Sequence, residues 1–152
     1  MAVEAEKRLA ELGIVLPTPL APGANYLSAR TVGDLVYLAG VISSDASGVL
    51  TGTIGLDRTI AEGYAAARAC GLMQLAVLRA HLGSLDRVKG VVGLNGYVSA
   101  VAGFPDSPQV VNGASDLLVE VLGEAGRHVR AAIGVSALPR HALVEVQMTV
   151  EV

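Results

Sequence analysis

The end of the chain carries the pattern that most restricts its fold, a regular alternation of apolar and polar side chains. Successive side chains of a β-strand point to opposite faces of a sheet, so this alternation predicts a strand with one buried and one polar face. The apolar face would hold Ala142, Val144, Val146, Met148, Val150 and Val152, and the other face Leu143, Glu145, Gln147, Thr149 and Glu151. A chain that ends in such a strand needs other elements to cover the apolar face.

Two helical segments can supply that cover. Thr59 and Glu62 have the spacing of a capping box, in which a hydroxyl and a carboxylate three residues apart bind free amides of the first turn. The helix predicted over 59–82 ends before Gly83, and a second helix is predicted over 109–122, also followed by glycine. The buried face of the first helix is expected to include Ala66, Leu72, Leu75, Ala76 and Leu82.

The remaining segments predict a mixed sheet. They are a short helix over 3–12, a connection over 17–25, a hairpin of strands 26–30 and 35–38, and strands over 86–100, 128–135 and 142–152. After the leading helix the order is ββ-α-β-α-ββ. We therefore predict an α+β fold, a mixed sheet with two long helices on one face, as a single domain over 1–152 whose residues 1–25 form an N-terminal helix and connection.

The composition favours association with another subunit and argues against a membrane protein. Hydrophobic residues make up 52% of the chain and charged residues 16%, which predicts apolar surface that a partner covers. The apolar stretch 64–82 is interrupted by Arg68, Gln74, Arg79 and His81, so we expect no membrane span. Because the charged N-terminal segment does not match a secretory signal, we expect a cytoplasmic protein.

The net charge and the motifs further limit the classes of function that the chain can have. The net charge of −3 and the 3% of aromatic residues lack the basic surface and the stacking side chains of a nucleic-acid binder. The only cysteine, Cys70, has no nearby Cys or His at metal-ligand spacing, which favours a core position. No phosphate-binding loop, dinucleotide fingerprint or nucleophile elbow is present. We therefore predict no nucleic-acid partner, no metal and no cofactor.

Arg130 is the first candidate for a binding role. On a strand over 128–135 its own face would carry His128, Ala132 and Gly134, which leave space around a guanidinium that can grip a carboxylate by two parallel hydrogen bonds. A structural, ion-paired arginine is the alternative. The other face, with Val129, Ala131, Ile133 and Val135, is expected to point to the core helices, so that Ile133→Asp would destabilise the fold.

Three further polar residues are candidates near Arg130. If the last two strands formed a hairpin, Glu145 would lie beside Arg130, either as a cross-strand ion pair or as a carboxylate that orients water next to a bound anion. Asn112, which precedes Gly113, fits a pocket residue or a local cap or turn, and Tyr26 a pocket or an ordinary strand residue. His128 and His141 are assigned no role.

Four segments together resemble a known family. The segments GDLVYLAG at 33–40, VVNGASDLL at 110–118, RAAIGVSALP at 130–139 and VEV at 144–146 are similar, in that order, to the RidA/YjgF family. Members of this family are also labelled L-PSP endoribonucleases or translation inhibitors. The resemblance implies a chorismate-mutase-like fold and a homotrimer with clefts between its subunits.

The same resemblance implies a reaction for the deaminase branch of the family. There an arginine binds the carboxylate of a 2-imino or enamino acid, and water hydrolyses this substrate to a 2-keto acid and ammonia. Arg130 matches that arginine, Glu145 a glutamate associated with the water, Asn112 a pocket asparagine and Tyr26 a tyrosine near the cleft. Ala132 stands where a cysteine is common, and its backbone carbonyl could still help to hold the water.

Other departures from the deaminase pattern keep alternatives open. Gly134 replaces a more polar residue, Ala39 replaces a serine that is common before Gly40, and the block 112–116 resembles a side branch of the family. Imine and enamine hydrolysis is the leading hypothesis. Binding of a small keto acid or related carboxylate without turnover is the second, and endoribonuclease activity, which rests on a family label, is the third.

Overall fold

The computed structural model describes residues 2–152, in which one mixed sheet is covered on one face by two long helices. The helices are α1 (Ala5–Glu11), α2 (Ile60–Leu82) and α3 (Ser107–Leu122). The strands are β1 (Ala29–Val32), β2 (Leu35–Leu38), β3 (Val41–Ile42), β4 (Ser44–Asp45), β5 (Gly48–Val49), β6 (Gly90–Ser99), β7 (Val129–Val135) and β8 (Val144–Glu151). This is the chorismate-mutase-like α+β fold that the resemblance implied.

Helix α2 begins and ends as its sequence predicts. The Thr59 hydroxyl accepts from the Glu62 amide at 3.2 Å, and a Glu62 carboxylate oxygen accepts from the Thr59 amide at 3.2 Å, so the capping box is complete. Gly83 closes the helix in the left-handed conformation at φ 86°. Its buried face contains Ala66, Leu75, Ala76 and Leu82 as expected, whereas Leu72 is only half-buried.

The main sheet has the strand order β1-β2-β8-β6-β7, with β3 also paired to β8, and β4 and β5 form a separate hairpin. Strand β8 pairs antiparallel with β2 and β6, while β7 runs parallel to β6 at the sheet edge. The alternation in β8 is confirmed, since Val144, Val146, Met148 and Val150 are fully buried. The first hairpin strand lies further along the chain than predicted, because pairing with β2 starts at Ala29.

The predicted hairpin of the last two strands does not form. Strand β6 lies between β7 and β8 and pairs with both of them. A parallel β6–β7 pair requires a crossover, which α3 supplies, and the chain then returns past β6 to insert β8 at the centre of the sheet. Arg130 and Glu145 therefore belong to strands that are not neighbours.

The two faces of β7 are the reverse of those predicted. Arg130 is paired with Leu94 on β6, which faces Met148 on β8, and both of these partners are buried under the helices. Ile133 instead shares the other, uncovered sheet face with Tyr97 and Glu145, and it is 50% exposed. The expectation that Ile133→Asp would place a charge against the core helices is therefore wrong.

Candidate functional site

Arg130 extends from β7 over α3 and is held there by three acceptors. Its Nη1 donates to Oδ1 of Asn112 at 2.8 Å and to Oγ of Ser115 at 3.1 Å, and its Nη2 donates to the Pro108 carbonyl at 3.4 Å. Positions 108, 112 and 115 are four and three residues apart, so they lie on one face of the helix. Asn112, a predicted pocket residue, is thus brought to Arg130 by the packing of α3 on β7.

The acceptors that hold Arg130 are all electrically neutral. They are an amide oxygen, a hydroxyl and a backbone carbonyl, and none of the ion pairs between residues 2 and 152 includes Arg130. A guanidinium remains protonated at any ordinary pH. Its positive charge is therefore available to an anion from solution, and the alternative of an Arg130–Glu145 ion pair within one subunit is excluded by the sheet order.

One edge of the guanidinium also remains available. Nη1 is used by two acceptors and Nη2 by one, while Nε of Arg130 has no acceptor among the described residues. Nε–H and the second hydrogen of Nη2 form one of the two parallel donor pairs that match a carboxylate. Arg130 itself lines an open groove of about 340 Å³, together with Asn112, Ser115, Val119, Arg127 and His128.

The side chain of His128 contacts the same serine as Arg130, an arrangement that the sequence did not indicate. The Ser115 hydroxyl that contacts Arg130 also lies 2.9 Å from Nε2 of His128, and Nδ1 of His128 lies 2.6 Å from the carbonyl of Gly126. His128, which was assigned no role from the sequence, is half-buried between β7 and α3. Only the strand-to-helix register, which local patterns do not reveal, brings these residues together.

Tyr26 and Glu145 lie together in a second open groove of about 340 Å³. Ala39 and Gly40 also line this groove, and the backbone there leaves so little room that a Cβ on Gly40 would lie 2.6 Å from Glu145 Oε1. Glu145 has no hydrogen-bond or ion-pair partner among residues 2–152, and burial raises its pKa above the ordinary value for a glutamate. Such a carboxylate accepts a proton from water more readily than an exposed one.

The predicted site residues therefore fall into two groups within one subunit. Arg130 and Asn112 lie in the groove beside α3, whereas Tyr26 and Glu145 lie in the groove beside the β2–β3 connection. Glu145 is on the uncovered sheet face and Arg130 on the helix-covered face, as their registers require. Ala132 is half-buried on the same helix-covered sheet face as Arg130 and lines neither groove.

Cys70 is a core residue, as predicted. It is fully buried on α2, its thiol contacts the Val144 carbonyl at 3.6 Å, and burial raises the pKa of the thiol strongly. Between residues 2 and 152 no group of three His, Cys, Asp or Glu side chains is placed to hold a metal ion. Over the same residues no helix is both long and apolar enough to cross a membrane.

Known proteins share the sequence and the fold of this chain. Residues 6–152 match the model of the family described as "YjgF/chorismate_mutase-like, putative endoribonuclease". Protein TCP17 from Trypanosoma cruzi is 45% identical over 157 residues, which cover 99% of this chain and 98% of that protein.

Two solved structures have a fold similar to that of this chain. A structure from Shewanella oneidensis described as a "putative endoribonuclease" is 34% identical and has a TM-score of 0.92, covering 97% of this chain and 99% of its own. RidA from an Antarctic Psychrobacter is 25% identical with a TM-score of 0.62, covering 90% and 98%. The lower similarity to RidA fits the expectation of a divergent branch.

Proposed function

This chain belongs to the YjgF/chorismate-mutase-like family, and from that membership and the site geometry we propose that it hydrolyses reactive 2-imino or enamino acids. An enamino acid first becomes the imine, as C3 gains a proton and the nitrogen loses one. Water then adds to the imine carbon, its protons pass to the nitrogen, the C–N bond breaks, and a 2-keto acid and ammonia leave. Arg130 holds the substrate carboxylate, Asn112 fixes Arg130, and Glu145 orients the attacking water. Tyr26 lines the cleft, and the backbone carbonyl of Ala132 helps to hold the water.

The main support for this proposal is the environment of the Arg130 guanidinium. Three neutral acceptors fix its guanidinium while leaving its charge uncompensated and the Nε–H of its Nε–Nη2 edge unpaired among residues 2–152, and Arg130 lines an open groove. A structural arginine is normally paired with a carboxylate or buried against a carbonyl cluster, whereas this one is exposed at a sheet edge. A ligand carboxylate would form two charge-assisted hydrogen bonds with that edge.

The separation of Arg130 from Glu145 supports a cleft that two subunits complete. Each subunit would contribute its Arg130 groove to one cleft and its Tyr26–Glu145 groove to the next, so that a closed ring of subunits contains equivalent sites. The raised pKa of Glu145 suits a carboxylate that takes a proton from water during attack on the imine carbon. We propose a homotrimer, in agreement with the family resemblance.

The uncovered sheet face is the surface proposed for trimer contacts. Tyr37, Val92, Val129 and Ile133 are all more than 40% exposed on it, and Asn95 and Gln147 hydrogen-bond each other at its centre. The sequence alone predicts a contact patch of Ala132, Gly134 and Gln147, because no helix remains in the chain to cover that small and polar sheet face. Only Gln147 lies on this face, because the reversed faces of β7 put Ala132 and Gly134 on the helix side.

Sedimentation is expected to show a particle of three 15.5 kDa chains at micromolar concentration. Ile133→Asp should dissociate it, since a charge in an apolar contact costs several kcal/mol, but the monomer should remain folded by circular dichroism because Ile133 is outside the subunit core. Val15→Asp is the matched control, as Val15 is 89% exposed in the N-terminal connection. A stable wild-type monomer would contradict the trimer and the shared cleft.

Turnover is tested with a freshly generated 2-aminoacrylate intermediate. The wild-type protein should release keto acid and ammonia faster than buffer does, and Glu145→Gln should lower the catalysed rate by about a hundredfold or more, as for loss of a group that assists proton transfer. The affinity for the keto acid should change little in Glu145→Gln, because the carboxylate of the keto acid is held by Arg130. No acceleration by a protein that binds the keto acid would contradict hydrolysis.

Binding without turnover is the second candidate, and the small residues of the site favour it. Ala39 offers no hydroxyl beside Gly40, and Ala132 and Gly134 offer no polar side chain beside Arg130. A cleft of this kind could sense or buffer a small keto acid. Endoribonuclease activity, the description attached to relatives, has less support because of the net charge of −3 and the scarcity of aromatic side chains.

A further inference from the structure

The hydrogen-bond chain behind Arg130 has a defined direction. Nδ1 of His128 lies 2.6 Å from the Gly126 carbonyl, which can only accept, so Nδ1 carries the proton. In the neutral imidazole Nε2 is then an acceptor, and it accepts a hydrogen bond from the Ser115 hydroxyl over 2.9 Å. The Ser115 oxygen is thereby left with lone pairs for Nη1 of Arg130 at 3.1 Å.

We infer that His128 and Ser115 are positioning residues that hold Arg130 in the orientation that receives a ligand carboxylate. The inference deepens the proposed function and rests on it. The backbone carbonyl of Gly126 holds the His128 imidazole, and the imidazole orients the hydroxyl of Ser115. This hydroxyl in turn holds Nη1 of Arg130. Because Nη1 is occupied by Ser115 and Asn112, the guanidinium plane is set, while Nε has no acceptor among residues 2–152 and Arg130 lines the groove beside α3.

This arrangement uses neutral groups where a carboxylate is the usual partner of arginine. A carboxylate in place of Ser115 would hold Arg130 more strongly but would compete with the ligand for the same positive charge. A serine oriented by the His128 imidazole fixes the arginine side chain without cancelling that charge. Long side chains lose rotamer freedom on binding, so an arginine that is ordered before the ligand arrives binds more tightly.

The alternative is that His128 and Ser115 only stabilise the packing of α3 against β7. Replacing His128 with asparagine and with glutamine distinguishes the two interpretations, because each variant keeps one half of the histidine's function. In His128→Asn the amide nitrogen takes the place of Nδ1 and keeps the bond to Gly126, but nothing reaches Ser115. In His128→Gln the longer side chain can place an oxygen near the position of Nε2 and accept from Ser115.

The test measures the order of Arg130 directly, by ¹⁵N relaxation of its Nε–H group in the ligand-free protein. Ser115→Ala and His128→Asn should increase the fast motion of this group, and His128→Gln should restore the order toward that of the wild type. Pyruvate affinity by calorimetry should fall about three- to tenfold in the first two variants, as for loss of one hydrogen bond, and less than twofold in His128→Gln. His81→Asn is the control, since His81 only contacts the Thr31 hydroxyl at 2.8 Å.

Unchanged Arg130 order in both Ser115→Ala and His128→Asn would overturn the inference, even if their thermal stability falls, because the pair would then be only a structural tie. If His128→Asn does not fold, Ser115→Ala decides alone, since it removes a single half-buried hydroxyl. Failure of the wild type to bind pyruvate would contradict the proposed function. In that case the relaxation data still decide whether His128 and Ser115 order Arg130.

Discussion

Replacing Arg130 with alanine is expected to weaken 2-keto acid binding by roughly thirty-fold to a thousand-fold, equivalent to about 2–4 kcal/mol for a lost charge-assisted hydrogen-bond pair in a partly buried cleft. Arg130→Lys should fall between alanine and the wild type, because an ammonium keeps the charge but cannot present two parallel donors. Calorimetric titration with pyruvate measures the order of the three affinities.

The stability of the Arg130 variants separates a ligand-binding arginine from a structural one. Arg130 is exposed and contacts three neutral acceptors, so Arg130→Ala should cost about 1 kcal/mol of unfolding free energy or less. Arg127→Ala is the matched control, since Arg127 lines the same groove but pairs with Glu124 at 3.6 Å. Equal affinity in Arg130→Ala, together with a large loss of stability, would contradict the carboxylate site.

Local signals in the sequence were sufficient for the helices and for the central strand. The Thr59–Glu62 capping box and the left-handed Gly83 define the two ends of α2 by hydrogen bonds within a few residues. The period of two in β8 is equally local, because only one face of that strand lies against the helices. The resemblance to the RidA/YjgF family added the chorismate-mutase-like fold, but the order of the strands was not predicted from it.

The position of β7 could not be predicted from its own pattern. Its apolar residues Val129, Ile133 and Val135 alternate with Arg130 and Gly134, and this alternation indicates two different faces without indicating which one the helices cover. The uncovered face is itself apolar at this edge, since Val129 is 74% exposed and Ile133 50% exposed. A face buried by another subunit has the same pattern as a face buried by the chain's own helices.

The pairing of β8 with β6 is a long-range choice that the turn 136–141 does not encode. A short connection between two strands suggests a hairpin, but β8 forms its ladder with β6 and β2, where its apolar face meets α2. The separation of Arg130 from Glu145 follows from that choice. So does the meeting of His128 with Ser115, whose contact depends on how α3 lies along β7.

Gly113→Ala is expected to lower the free energy of unfolding by about 2–4 kcal/mol, the range of severe overpacking, despite about 1 kcal/mol gained in helix propensity. A local cap or turn at Asn112–Gly113 was one of two alternatives, but Gly113 lies inside α3 at the contact with α2. A Cβ there would lie 2.9 Å from the Tyr64 carbonyl carbon, closer still to its oxygen, and 3.0 Å from the Arg68 amide nitrogen. Backbone atoms cannot turn aside, so the helices must separate.

Thermal unfolding should show the effect of Gly113→Ala as a fall in midpoint of roughly 5–15 °C for a chain of this size. Gly71→Ala is the control in the same helix pair, because its only close contact would be the end of the Leu117 side chain at 2.9 Å, which can move aside, while Ala114 Cα would lie at an ordinary 3.5 Å. Moving α3 also displaces Asn112 and Ser115 from Arg130, so pyruvate binding should weaken in Gly113→Ala but not in Gly71→Ala. Equal stability of the two variants would show that α2 and α3 are packed less closely than the Gly113 contact requires.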